Sequence, residues 1–337
     1  MIYDCFSFFN ELDLLEIRLN VLKDVVDRFV LVEAGETHTG KPKPFYFEEN
    51  RDRFAAFADR IVYRKLERFP AGHGAWWNEN YQRNEISKAL IECGACDDDD
   101  ILISDLDEIP NPEAVARWKG TPGVKTFHQK YYSFYLNYLN VRNFNLYTTK
   151  MLPYRDAVSV YDGVEVFDNE FMPCDINQGT TLTKIRRRRL PKSKGGERLV
   201  QNGGWHFTCL GGAEAMVRKM QAVAPHGDFN PDDPSLTAER MAALIATGRG
   251  PALKMNCFAV PIDETFPKYL RENLSRYSHL VFKVTPEYSR RVRVARFFRT
   301  LQGRFIQFAE WVCPLAFHNW LHHVRLRVRG TKTDFMV

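Results

Sequence analysis

The first hundred residues alternate between two hydrophobic periods. Residues 2–9 are a short, mostly apolar run and predict a strand. From Asn10 and Glu11 the spacing lengthens, and Leu12, Leu15, Ile17, Leu19, Leu22, Val25 and Val26 recur on a broad helical face. Residues 29–34 predict a second strand, closing at Gly35 in a polar loop that runs through Lys41-Pro42-Lys43-Pro44. Strand, helix and strand in that order make a βαβ unit, with the loop at a strand's carboxyl end. A short helix over 48–60, a third strand over 60–66 and a helix over 76–93 continue the alternation. That last helix carries Glu79, Arg83, Asn84 and Lys88 on or near one face.

After an acidic turn at 97–100 comes Ile101-Leu-Ile-Ser-Asp-Leu-Asp-Glu-Ile-Pro110. An apolar run bounded by breakers predicts a buried strand, central in a parallel sheet. Residues 126–139 are aromatic and β-rich, which predicts a strand lining a cleft beyond the acids. Residues 160–200 are polar and irregular. Gly203-Gly204-Trp205-His206-Phe207 follows, then Gly211-Gly212 and a helix near 213–223. There are no internal repeats.

Composition narrows the class. A chain of 337 residues with 45% hydrophobic and 13% aromatic content has enough apolar material for one large α/β domain with an appendage. The charge of +5 is unevenly placed. Residues 285–337 hold ten Lys/Arg against three Asp/Glu, so the preceding 284 carry a small negative balance. We therefore expect a domain at 1–284 and a basic, aromatic helical tail at 285–337. In the tail, Val294, Phe297, Phe298, Leu301, Phe305, Phe308 and Val312 share one helical arc. Residues 290–329 are a candidate for an anionic membrane surface, or else for a helix packed on the domain. The sequence offers no signal peptide pattern, no run of eighteen apolar residues and no nucleic-acid motif. A cytoplasmic location, peripheral on the inner face of the membrane, is expected. Seven scattered cysteines read as reduced thiols, Cys93 and Cys96 included.

The candidate chemistry centres on Asp105 and Asp107. They follow a strand and stand two residues apart, so an extended chain would point both to one side. Ligands of open α/β sheets bind outside the carboxyl ends of strands, and hard oxygen ligands suit Mn²⁺ or Mg²⁺ with substrate phosphates. A strand ending in Asp-x-Asp also occurs in haloacid-dehalogenase-like, Mg-dependent phosphatases, with Asp105 then the nucleophile. About a hundred organised residues precede the motif, which places that alternative second. Glu33, at the end of the second strand, with Thr37 and Lys41 behind it, could meet a base, ribose or phosphate. Arg83 and Asn84 could meet a nucleotide, Arg83 being suited to bidentate contacts. His206, between glycines that would let backbone approach a ligand, is a candidate third metal ligand or diphosphate partner. His226 and Arg186–Arg189 are lesser candidates.

These blocks resemble glycosyltransferase family 17, the β-1,4-mannosyl-glycoprotein 4-β-N-acetylglucosaminyltransferase family, in a bacterial-type or viral-type form. The resemblance is carried by residues 10–20, 29–33 with 39–44, 99–110 and 204–206, in order and correctly spaced, and extends over roughly 1–280. It implies a GT-A-like Rossmann-type mixed sheet flanked by helices. It also implies an inverting transferase using a UDP-sugar, most often UDP-GlcNAc, with Mn²⁺ at Asp105 and Asp107. The acceptor would be a glycan or lipid-linked glycan. Inversion needs a carboxylate base on the acceptor side, and Asp162, Glu165, Glu170 and Asp175 lie in the right part of the chain.

Overall fold

The structure, a computed structural model, describes residues 1–141, 149–159, 196–222, 233–234, 236–250, 257–284 and 288–290. The chain divides into two compact units, Met1–Phe282 and Lys283–Val337. Almost all of the second unit, including the tail helix and its proposed membrane face at 290–329, lies outside the described residues apart from Arg290. So do Asp162, Glu165, Glu170, Asp175, Arg186–Arg189 and His226. Among the described residues no helix is long and apolar enough to cross a membrane.

In the first unit, β1 (Ile2–Phe8), α1 (Leu12–Leu22), β2 (Arg28–Ala34), α2 (Tyr46–Glu49), a 3-10 turn (Arg51–Phe57), β3 (Ile61–Leu66), α3 (Ala75–Glu92) and β4 (Asp100–Ile103) follow one another. The four strands are parallel in the spatial order β3-β2-β1-β4. Pattern and structure agree because β1 is covered on both faces. Ile2, Phe6 and Phe8 face the cluster containing Leu14, Leu15, Ile17 and Leu19 of α1. Tyr3 and Cys5 face the cluster containing Ile86, Ala89 and Leu90 of α3. A strand buried on both faces has no polar side, which is why it reads as a continuous apolar run.

Beyond β4 the sheet turns mixed, in keeping with the mixed sheet expected. The next elements are β5 (Glu108–Pro110), α4 (Pro112–Trp118), β6 (Val124–Ser133), β7 (Tyr138–Asn140), β8 (Lys150–Pro153), α5 (Tyr154–Ser159) and β9 (Glu197–Thr208). They are followed by α6 (Gly212–Ala222), α7 (Ala238–Ile245), β10 (Cys257–Ala259) and α8 (Lys268–Glu272). β8 lies antiparallel between β4 and β6, so β4 is parallel to one neighbour only, not central in a parallel sheet. β9 runs parallel to β6 and antiparallel to β5.

Three expectations need correction. α1 ends at Leu22, leaving Val25 and Val26 in the turn before β2. The aromatic strand breaks at Phe134, whose φ of 70° reverses the chain between β6 and β7. His206 stands within a strand of twelve residues, β9, and not in a glycine-framed loop. The flanking glycines serve that strand. A Cβ on Gly204 would lie 2.2 Å from the carbonyl oxygen of Ile109, and one on Gly203 would lie 2.7 Å from the amide nitrogen of His128. Backbone approaches backbone at these positions, not ligand.

Candidate active site

The strand order supplies the location. From β1 the chain moves outward through β2 and β3, then returns to place β4 on the other side of β1. The carboxyl ends of β1 and β4 therefore flank the point where the winding reverses, where open α/β sheets hold their ligands. Glu11 follows β1 there, and Ser104–Asp107 follow β4.

Residues 104–107 form a tight turn, not an extended continuation of β4. The amide of Glu108 donates to the carbonyl of Asp105 at 3.0 Å, and the amide of Asp105 donates to the Glu108 carboxylate at 3.2 Å. Beneath the turn lies the fully buried Arg18 of α1. Its Nε and Nη2 donate to the two oxygens of Asp4 at 2.7 and 2.6 Å, and Nη2 also to Ser104 Oγ at 2.5 Å. Its Nη1 donates to the carbonyls of Asp105, Leu106 and Glu108 at 3.0, 3.0 and 2.9 Å. One planar guanidinium thus holds three carbonyls of the acidic turn, a task that an ammonium's point charge cannot match.

Because the backbone turns, the two acids do not point one way. Asp105 is paired with Arg83, whose Nη2 lies 2.9 Å from its Oδ1 and 3.0 Å from Glu79. The Asp105 side chain is 41% exposed, and that of Arg83 is 5% exposed. Burial would discharge Arg83, but Asp105 and Glu79 outweigh it and hold the guanidinium firmly protonated. Asp107 is buried. Its Oδ1 faces His206 Nε2 at 3.4 Å and its Oδ2 accepts from Lys219 Nζ at 3.2 Å. Burial would raise its pKa, yet Lys219 and then His206 hold it well below the usual carboxylate range.

His206 reaches this place through register. β9 pairs it with Glu108, whose Oε1 is 3.8 Å from Nδ1, and its ring meets Tyr131 edge-on at 4.4 Å. Lys219 comes from α6, which begins where the amides of Gly211 and Gly212 donate to the Phe134 carbonyl at 3.1 and 3.2 Å. Its Nζ is also 3.3 Å from Glu11. Glu79 and Asp105 thus meet Arg83, while Glu11 and Asp107 meet Lys219, with His206 beside Asp107.

No three His, Cys, Asp or Glu side chains among the described residues form a metal-ligand group. The set expected from sequence is therefore reduced. Asp107 and His206 converge, while Asp105 is turned to Arg83. Two ligands of one octahedral ion at about 2.1 Å lie about 3 Å apart, so the 3.4 Å between Asp107 Oδ1 and His206 Nε2 fits a shared divalent cation. Sites of this kind take one or two carboxylates and leave the remaining positions to water and phosphate.

The loop after β2 is placed differently from expectation. Glu33 is fully enclosed, and its oxygens accept from Lys43 Nζ at 3.1 Å, the Phe47 amide at 3.2 Å and the Tyr63 hydroxyl at 3.0 Å. It anchors the chain around α2 instead of facing the acidic turn. Thr37 and Lys41 close a tight loop, the Thr37 amide donating to the Lys41 carbonyl at 2.8 Å and the Lys41 amide to Thr37 Oγ1 at 3.0 Å. The Lys41 side chain is exposed. Thr39 Oγ1 donates to the Gln221 carbonyl at 3.1 Å, which ties this loop to α6.

Gln82 of α3 donates to the carbonyls of Val32 at 2.9 Å and Phe8 at 3.3 Å. The polar residues on α3 thus satisfy the ends of β1 and β2 at the crevice. Asn84 is half-buried beside Arg83 on this helix.

Sequence reading missed Arg18, Gln82 and Lys219. Arg18 left one trace, as the lone cation between Leu12 and Leu22 of the first helix. Lys219 left none, because it meets Asp107 across 112 residues.

Residues 1–163 match glycosyltransferase family 17. The β-1,4-mannosyl-glycoprotein 4-β-N-acetylglucosaminyltransferases of Homo sapiens and Rattus norvegicus are each 33% identical to the chain over 112 residues. That alignment takes in 32% of this chain and 21% of the relatives, so the similarity spans about a fifth of their length. Among solved structures, mannosyltransferase PcManGT from Pyrobaculum calidifontis in complex with GDP-Man and Mn²⁺ is similar over 72% of this chain and 70% of that one. Its identity is 12% and its TM-score 0.35, a likeness too distant to carry an argument.

Proposed function

Residues 1–163 of this chain belong to glycosyltransferase family 17, and on that premise we propose a metal-dependent, inverting transferase. It moves a sugar, N-acetylglucosamine, from a UDP-sugar to a hydroxyl of a glycan or lipid-linked glycan. The observation that carries the reading is the Asp107–His206 pair at the carboxyl end of β4, with its 3.4 Å edge.

Asp107 and His206 would hold Mn²⁺ or Mg²⁺, which supplies Lewis-acid neutralisation of the UDP leaving group. The chain's own residues provide the rest. Arg18 keeps the turn in one shape from below. Arg83 holds Asp105 at the rim, where its exposed carboxylate can accept from a ribose or sugar hydroxyl. Tyr131 fixes the plane of His206. A carboxylate from the 160–175 segment, with Asp162, Glu165 and Asp175 the candidates, takes the acceptor's proton from the face opposite UDP. The lipid-linked acceptor and the basic segment 290–329 together favour action on the inner face of a membrane. For the phosphatase alternative no observation speaks, since the Asp105 carboxylate is engaged by Arg83.

Calorimetric titration of the full chain with UDP, in Mn²⁺ and again in chelator, tests the proposal. UDP binding that depends on the metal and disappears in Asp107→Ala is expected. Equal UDP affinity in chelator would remove the metal from the reading.

A further inference from the structure

Resting on the reading above, we infer that Lys219 is a direct cation for the donor's diphosphate, acting beside the Asp107–His206 pair. Lys219 Nζ stands 3.2 Å from Asp107 Oδ2 and 3.3 Å from Glu11 Oε1. An ammonium has three donors, and these two carboxylates engage two of them. The side chain is 24% exposed, and a phosphate would take the third donor. Asp107 divides its oxygens between two partners, Oδ1 to His206 and Oδ2 to Lys219. A cation held at the first edge leaves the second in place, and a phosphate spanning both would meet positive charge on each side.

Position in the fold supports the same role. α6 starts from the Phe134 carbonyl and ends near the loop after β2, through the contact of Gln221 with Thr39. It therefore spans the crevice at the switch point, and Lys219 lies on the side facing the acids. A purely structural role is the rival, with Lys219 locking α6 to the start of α1. A lock would alter the pocket for every ligand, whereas a diphosphate cation distinguishes ligands with phosphate from those without.

The test compares UDP with uridine on the full chain in Mn²⁺, by calorimetry, for wild type, Lys219→Met, Lys219→Gln and Lys219→Arg. Thermal melting is recorded alongside. Lys219→Met should weaken UDP by about tenfold to a hundredfold, the range for one charge-assisted hydrogen bond, and leave uridine within about twofold. Lys219→Arg should recover most of the loss. Lys219→Gln, one atom shorter, keeps a neutral donor for Asp107, so it reports on charge if the Met variant does not fold. UDP binding unchanged in both neutral variants, or UDP and uridine weakened in equal proportion, would overturn the inference. Wild type that does not prefer UDP to uridine would overturn the donor-site reading itself.

Discussion

The acidic turn after β4 has two sides, and each holds an arginine against an aspartate. Below, Arg18 and Asp4 are both 0% exposed, and all the guanidinium nitrogens are bonded to protein. Above, Arg83 is 5% exposed but its partner Asp105 is 41% exposed. The same ion pair serves two ends, and exposure of the acid separates them. A closed pair gives the turn one shape, because leaving either charge unmatched in the interior is costly. A pair open on the acid's side keeps acceptor sites for a ligand. Asp107 stands between these cases, buried like Asp4 but faced by groups that lead to the crevice.

The largest expected effect breaks the lower side. Arg18→Met strands the Asp4 carboxylate in the core and should cost about 3–5 kcal/mol of stability, read as a shifted denaturant midpoint at constant slope. Arg18→Lys sharpens the point, since it keeps charge without the fork. It should fold, yet lose transfer by about tenfold or more.

Asp107→Ala tests the metal side of the turn. Transfer should fall below detection, and near wild-type turnover would refute the site. Gly204→Ala tests the support between the two sides. A Cβ 2.2 Å from the Ile109 carbonyl forces β5 and β9 apart and should cost about 1–3 kcal/mol. A melting curve identical to wild type would show the register to be slack.

The smallest effect is in pH. Asp107 has a folded-state pKa below its unfolded value. On acidification the unfolded chain takes up the proton first. The stability from this group is therefore present above about pH 4, the unfolded carboxylate value, and is lost as pH falls through the folded one. The stability difference between wild type and Asp107→Asn should shrink between neutral and strongly acid pH. A constant difference would show that Asp107 is not ionised against Lys219 and His206.

The βαβ order, the helix at 75–92 and the acids at the end of a strand were legible in sequence, because a strand or helix buried on a regular face must repeat its apolar residues at that element's period. Asp105 and Asp107 stood out as acids following an apolar run. Their division of labour did not. Two residues apart on an extended chain they would point together, and only the turn closed by Glu108 and Arg18 sends one to Arg83 and the other to Lys219 and His206. The reason given for His206 does not hold, since its glycines make room for neighbouring strands. Glu33 was misread, because its engagement by Lys43, Phe47 and Tyr63 depends on how the loop folds back. By itself the sequence determined which elements form and that acids end β4, because periodicity and breakers act locally. The tertiary structure alone decided which cation meets which acid, because Arg18 and Lys219 reach the turn from helices 87 and 112 residues away in the chain, where no local pattern records the meeting.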